Sequence, residues 1–287
     1  MKKLVIAVVS VALALVAVEP AHAQDQKVLA IIDTAIDSQE VKSVIYEACF
    51  TQNRSCPNKA NFMEGPGSAN SLGWPSSIQH PVYHGHNMAQ TALLSDPAIK
   101  IVFVRIANIN ASDLASLNAE LSLIQAVEWV SKNASKYSID AVSISQAGSS
   151  KESLNSCVTK TNIINSVASL GSQSIPVFAA TGNTSTLTTV APVSFPACVA
   201  GVIGVGAVKS DFSGLANDTN RGVGLDIIAS GTMSVLRYKM TKPATISGTS
   251  VSTQIAAALY LKNGAPLNAN DFIGKLPKVL GYSYISN

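Results

Sequence analysis

The sequence predicts an α/β fold: a doubly wound, mostly parallel sheet with helices on both faces. Three observations carry that expectation. Short apolar runs recur along the chain and alternate with stretches of helical spacing, the order that strand–helix–strand units produce. Runs such as Val28–Ile32 and Ile101–Val104 are apolar throughout instead of alternating, as strands buried on both faces must be. Hydrophobic residues make up 47% of the chain and charged residues 13%, enough apolar side chain for a sizeable core.

The N-terminus begins Met1-Lys2-Lys3, continues through an apolar run from Leu4 to Val18 and closes on Ala21-His22-Ala23. These are the three regions of a secretory signal with a small-x-small cleavage site, so residues 1–23 are expected to be removed and residues 24–287 to form one domain. The apolar run is short for a membrane span; a retained anchor is the alternative, the cleavage site argues against it, and no membrane association is expected after cleavage. Export places the protein in the periplasm or outside the cell. Losing Lys2, Lys3 and Glu19 takes the net charge from +3 to +2, too small an excess to imply a nucleic-acid partner.

Lys27–Ile32 reads as the first strand, stopping at Asp33-Thr34. Residues 49–80, rich in Asn, Pro, Gly and Ser, read as loop. His84–Leu94 reads as a turn entering a buried helix, and Ile101–Ile106 as the next strand. Asp113 is a fair N-cap for a helix whose apolar positions are Leu114, Leu117, Leu121, Ile124 and Val127. Strands follow at Ala141–Ile144 and Ile175–Ala180, with a helix around Ile163, Val167 and Leu170 between them. Further apolar runs cover Val199–Val205 and Leu225–Ala229, separated by a polar surface loop from Ser210 to Gly224. The last strong pattern is a helix opening at Ser250, apolar on nearly every side and therefore buried, which stops at Asn263-Gly264.

Four cysteines in an exported chain favour disulfides, and three connectivities are open to them. Cys49 with Cys56 would close a short local loop, and Cys157 with Cys198 would join distant segments.

Three polar residues stand at telling places. Asp33 ends a strand, His84 heads a helix, and Ser250 heads the last core helix, where unpaired N–H groups and the helix dipole favour negative charge. A serine hydroxyl needs a base to take its proton, and that base works best when a carboxylate orients it. Aspartate, histidine and serine in that chain order differ from the order in α/β-hydrolases and in chymotrypsin-like enzymes.

Four motifs resemble those of the subtilisin-like serine peptidases, or subtilases. They are Ala30-Ile31-Ile32-Asp33-Thr34, His84-Gly85-His86-Asn87-Met88-Ala89, Ala179-Ala180-Thr181-Gly182-Asn183 and Gly248-Thr249-Ser250-Val251. The resemblance runs from about Val28 to Leu261. It implies a polypeptide substrate, with Ser250 as nucleophile, His84 as general base and then acid, and Asp33 orienting His84. The oxyanion would be held by the Asn183 amide and the Ser250 N–H. An extended peptide would pair with the segment of Ser145, Gln146 and Ala147, and Ala180, Thr181 and Gly182 would wall the primary side-chain pocket. Ala147 stands where the family often has glycine, so its methyl group would narrow that pocket.

Departures from the family pattern are Ala35 for glycine, His86 for threonine, Asn87 for histidine and Gln254 for proline. None removes a catalytic functional group. Only Gln24–Lys27 separate the cleavage site from the first strand, so no propeptide is expected, and a separate folding helper or inhibitor would take its place. No cofactor is expected; calcium is common in the family, but no loop here is specific enough to hold it. Two other readings are open. An inert subtilase fold would bind peptides or a partner, and His80, His84 and His86 with Asp33 would suit Zn²⁺ or Cu²⁺.

Overall fold

A computed structural model of the chain describes residues 26–71, 84–107, 117–147, 157–238 and 240–286. The signal segment, His80, Asp113 and Leu114 lie outside these residues.

The strands are β1 (Val28–Asp33), β2 (Val44–Phe50), β3 (Phe62–Glu64), β4 (Lys100–Arg105), β5 (Ala141–Ile144), β6 (Val177–Ala180), β7 (Val202–Val208), β8 (Ile227–Ser230), β9 (Thr232–Val235), β10 (Ala244–Ser247), β11 (Lys278–Val279) and β12 (Tyr282–Tyr284). The helices are α1 (His84–Ser95), α2 (Leu117–Asn133), α3 (Thr161–Ser172), α4 (Thr249–Lys262) and α5 (Ala269–Lys275).

Ten strands form one sheet in the order β11-β12-β8-β7-β6-β5-β1-β4-β2-β3, and β9 pairs with β10 separately. Strands β12 through β2 in that order are mutually parallel; only β11 and β3, at the two edges, run antiparallel to their neighbours. β1 lies between β4 and β5, so the strand order reverses there. In open α/β sheets that reversal opens a crevice beyond the carboxyl ends of the strands, where ligands bind.

Alternation along β1 divides the core. Leu29 and Ile31 face α1 and α4, in a cluster with Met88, Phe103, Val251 and Ile255. Ala30 and Ile32 face α2 and α3, in a cluster with Val104, Val127, Val130, Ile163 and Leu170. Each buried Leu, Ile, Val, Phe or Met side chain there contributes about 1.5–3 kcal/mol by leaving water. In α2 the inward stripe is Leu123, Ile124, Val127 and Val130, whereas the expected Leu121 is 40% exposed. Every residue of α4 from Thr249 to Leu261 is buried, as its all-round apolar pattern requires. The helix ends at Asn263, before a left-handed Gly264.

Several elements differ from the sequence expectation. β3 lies inside the stretch read as loop and forms by pairing with β2. The Val199–Val205 run yields a strand only from Val202, because Gly201 adopts a positive φ of 87° in the turn before it, and the strand then continues to Val208. β9–β12 and α5 had no clear periodic signal. Cys49 pairs with Cys56 and Cys157 with Cys198, as expected.

Candidate active site

The parallel register sets one rim of the sheet. Ile32 pairs with Ile144, and Ile144 with Ala179, so Asp33, Ser145–Gln146 and Ala180–Asn183 leave neighbouring strands side by side. Helices α1 and α4 pack against each other and bring their first turns to the same rim.

Asp33 is the last residue of β1 and fully buried. Its Oδ1 accepts three hydrogen bonds, from Thr34 N at 2.6 Å, His84 Nδ1 at 2.7 Å and Gln146 Nε2 at 2.8 Å. Its Oδ2 has no partner among the described residues.

His84 opens α1. The turn is held by Thr34, whose Oγ1 accepts from Gly85 N at 2.9 Å. Glycine is needed there: a Cβ at Gly85 would lie 2.5 Å from Thr34 O and 2.7 Å from the Phe103 ring. The imidazole is 31% exposed. Burial works to lower its pKa, but the charge and hydrogen bond of Asp33 outweigh this and raise it above the ordinary histidine value.

Ser250 is the second residue of α4, preceded by the N-cap Gly248 at a positive φ of 128°. First-turn N–H groups have no intrahelical acceptor. That of Thr249 donates to Asn183 Oδ1 at 2.9 Å, leaving that of Ser250 for an incoming anion. The Thr249 hydroxyl also donates to Asn183 Oδ1, at 2.9 Å. With its oxygen committed to Thr249, the Asn183 amide presents Nδ2 as its donor.

The Ser250 hydroxyl donates to Ser145 O at 3.0 Å. No hydrogen bond joins it to His84 Nε2 among the described residues, so the shared proton expected of the triad is absent in this state. The cause is local: Ser145 lies one residue beyond β5, where the ladder ends and its carbonyl is open to a side-chain donor. Ser145 Oγ in turn donates to Ser250 O at 3.0 Å and accepts from Gln254 Nε2 at 2.8 Å. Asp33 and His84 thus meet at Gln146, and Ser250 meets the preceding residue.

Of the residues expected to bind substrate, Ala180 closes β6, Thr181 and Gly182 are buried, and Ala147 is half-buried at the rim. Gly182 N donates to Thr249 Oγ1 at 3.3 Å, tying this wall to the head of α4. The side chain of Gln146 is turned inward to the Asp33–His84 pair. That orientation, and the role of Gln254, were not foreseen, although the replacement of proline by glutamine on α4 marked the second. His86 does not join the Asp33–His84 pair: its Nε2 lies 3.0 Å from Gln90 Nε2. Among the described residues no group of three potential ligands could hold a metal.

A parallel α/β sheet with an aspartate, a histidine and a serine at one rim, in that chain order, defines a subtilisin-like fold. The chain belongs to the subtilase family of serine peptidases, whose family model matches residues 24–263. Solved structures agree. A protease from Pseudoalteromonas arctica superposes with a TM-score of 0.64 at 17% identity, covering 90% of this chain and 85% of that one. The nisin leader peptidase NisP from Lactococcus lactis gives a TM-score of 0.63 at 16% identity, with coverage of 90% and 85%. Sphericase gives 0.56 at 18% identity, with coverage of 84% and 78%. At these identities the likeness establishes the fold.

Proposed function

We propose that this protein is an exported serine endopeptidase that cleaves polypeptides through Asp33, His84 and Ser250 and an acyl-enzyme intermediate. The observation that carries the reading is the 2.7 Å contact between Asp33 Oδ1 and His84 Nδ1 at the rim where α4 presents Ser250. With Nδ1–H donated to Asp33, Nε2 keeps its lone pair and takes the Ser250 proton as the hydroxyl attacks the scissile carbonyl. Asn183 Nδ2 and Ser250 N–H then hold the oxyanion. His84 returns the proton to the leaving amine, and water releases the acyl group by the same steps in reverse. The peptide lies extended along Ser145–Ala147, with Ala180–Gly182 walling its principal side chain.

A second reading, an inert peptide-binding subtilase fold, is favoured by one observation: the Ser250 hydroxyl rests on Ser145 O. Catalytic hydrogen bonds commonly tighten only when substrate is bound, so a rotation about the Ser250 side chain is the step that divides the readings. Labelling with a fluorophosphonate tests it. The enzyme acquires a covalent adduct on Ser250, and Ser250→Ala acquires none; folded wild type that never labels would favour the binder.

A further inference from the structure

The buried carboxamide of Gln146 has no role in the triad reading, yet it touches both members of the aspartate–histidine pair. Its Nε2 lies 2.8 Å from Asp33 Oδ1 and 2.9 Å from His84 Nδ1. The amide can be oriented in only one sense, because its oxygen in that place would face the carboxylate lone pair to lone pair. Nδ1 also keeps its proton, since at 2.7 Å from Asp33 Oδ1 a lone pair there would be repelled. The Gln146 amino group is therefore a donor to Asp33 and the positive end of a dipole set against the Nδ1–H of His84.

Both effects oppose a positive imidazole. A carboxylate oxygen that already accepts from Thr34 N and Gln146 Nε2 has less charge to lend the ring. The amide dipole repels the charge that protonation brings to Nδ1. Among the described residues, other titratable groups contribute little here. Asp33 is the charged group that faces the ring from β1, and Asp37, beyond that strand, acts on His86. The segment after β5 brings Ser145 and Gln146, and α4 brings no titratable side chain before Tyr260. On α1 itself, the His86 ring turns to Gln90 and Glu40.

We propose that Gln146 is a positioning residue, pinning the Asp33 carboxylate against His84 while limiting its pull on the ring, so that His84 becomes a free base at lower pH than the pair alone would permit. The consequence for turnover rests on the peptidase reading; the electrostatic effect does not.

NMR titration of the His84 ring in the full-length mature protein tests this, with Gln146→Met and Gln146→Glu beside the wild type. Gln146→Met keeps the length and removes the donor, and the His84 midpoint rises by about one pH unit. Gln146→Glu adds a carboxylate and raises it further. A merely structural role would lower the melting temperature and leave the midpoint in place. An unmoved midpoint in the folded variants overturns the proposal, and Gln146→Leu, which also removes the donor without adding charge, decides it if Gln146→Met does not fold. The two readings fail separately. A wild type that labels with fluorophosphonate but whose variants show no shift removes Gln146 and leaves the peptidase; a wild type that never labels but whose variants do shift has the opposite meaning.

Discussion

Ser145 and Ser250 hold each other by two hydrogen bonds of opposite direction: each hydroxyl donates to the other residue's carbonyl, both at 3.0 Å. The pair joins the end of β5 to the first turn of α4, and Gln254 adds a third bond to the Ser145 hydroxyl. Ser145→Ala deletes one bond and leaves the buried Gln254 amide without its acceptor. The expected cost is about 1–3 kcal/mol, read as a lower urea midpoint at constant slope. Fluorophosphonate labelling of Ser250 survives, because the Ser145 carbonyl belongs to the backbone.

Asn183 has two separable duties. Its oxygen accepts from Thr249 N and Oγ1, and its nitrogen is the proposed oxyanion donor. Asn183→Asp keeps the first and removes the second. Turnover is expected to fall by about 10²–10³-fold, the magnitude known from subtilisin for this kind of donor, with the melting temperature nearly unchanged. Asn183→Ala loses both, and its melting temperature falls as well.

His84 links activity and stability to pH in opposite senses. A base must be neutral to take a proton, so labelling and turnover rise with pH through a midpoint above the ordinary value of about 6.5. Because the folded-state value lies above the unfolded one, the pair's contribution to stability is fully present below about pH 6.5 and is lost as pH rises through the folded midpoint. His86 acts in the other direction. Burial lowers its pKa, partly offset by Asp37, so the fold loses stability as pH falls through the unfolded value. Subtracting the urea stability of His84→Gln from that of the wild type isolates the first effect. The difference is larger at about pH 5 than at about pH 9.

The two disulfides differ in what they close. Cys157 and Cys198 are 41 residues apart and Cys49 and Cys56 only 7. Chain entropy therefore assigns about 4 kcal/mol to the first and about 2 kcal/mol to the second. Replacing each pair by serine and comparing urea midpoints measures the order; equal losses would show that strain or residual structure dominates.

Much of the fold was legible because strands buried on both faces must be continuously apolar. β1, β4, β5 and β6 were found within a residue or two for that reason. β2 was not, since Glu47 interrupts its pattern. The structure accounts for that charge: Glu47 is buried with its carboxylate accepting from Gly67 N and Ala69 N. β3, β11 and β12 are two or three residues long and owe their existence to a neighbouring strand, which no local pattern records. At the site, the ends of strands and the heads of helices could be read from the motifs. Which way Gln146 turns could not, because it lies beyond β5, where strand alternation no longer dictates side-chain direction. The resting place of the Ser250 hydroxyl is likewise a matter of one torsion.

The burial of α4 on every side has a consequence for protein turnover as well as for chemistry. Amide hydrogens from Val251 to Leu261 belong to residues that are all buried, so exchange with solvent there is expected only when the whole molecule opens. The serine is mounted on that segment. A partly opened molecule that still exchanges slowly there keeps its serine in place, and one that has lost this protection has lost its architecture too.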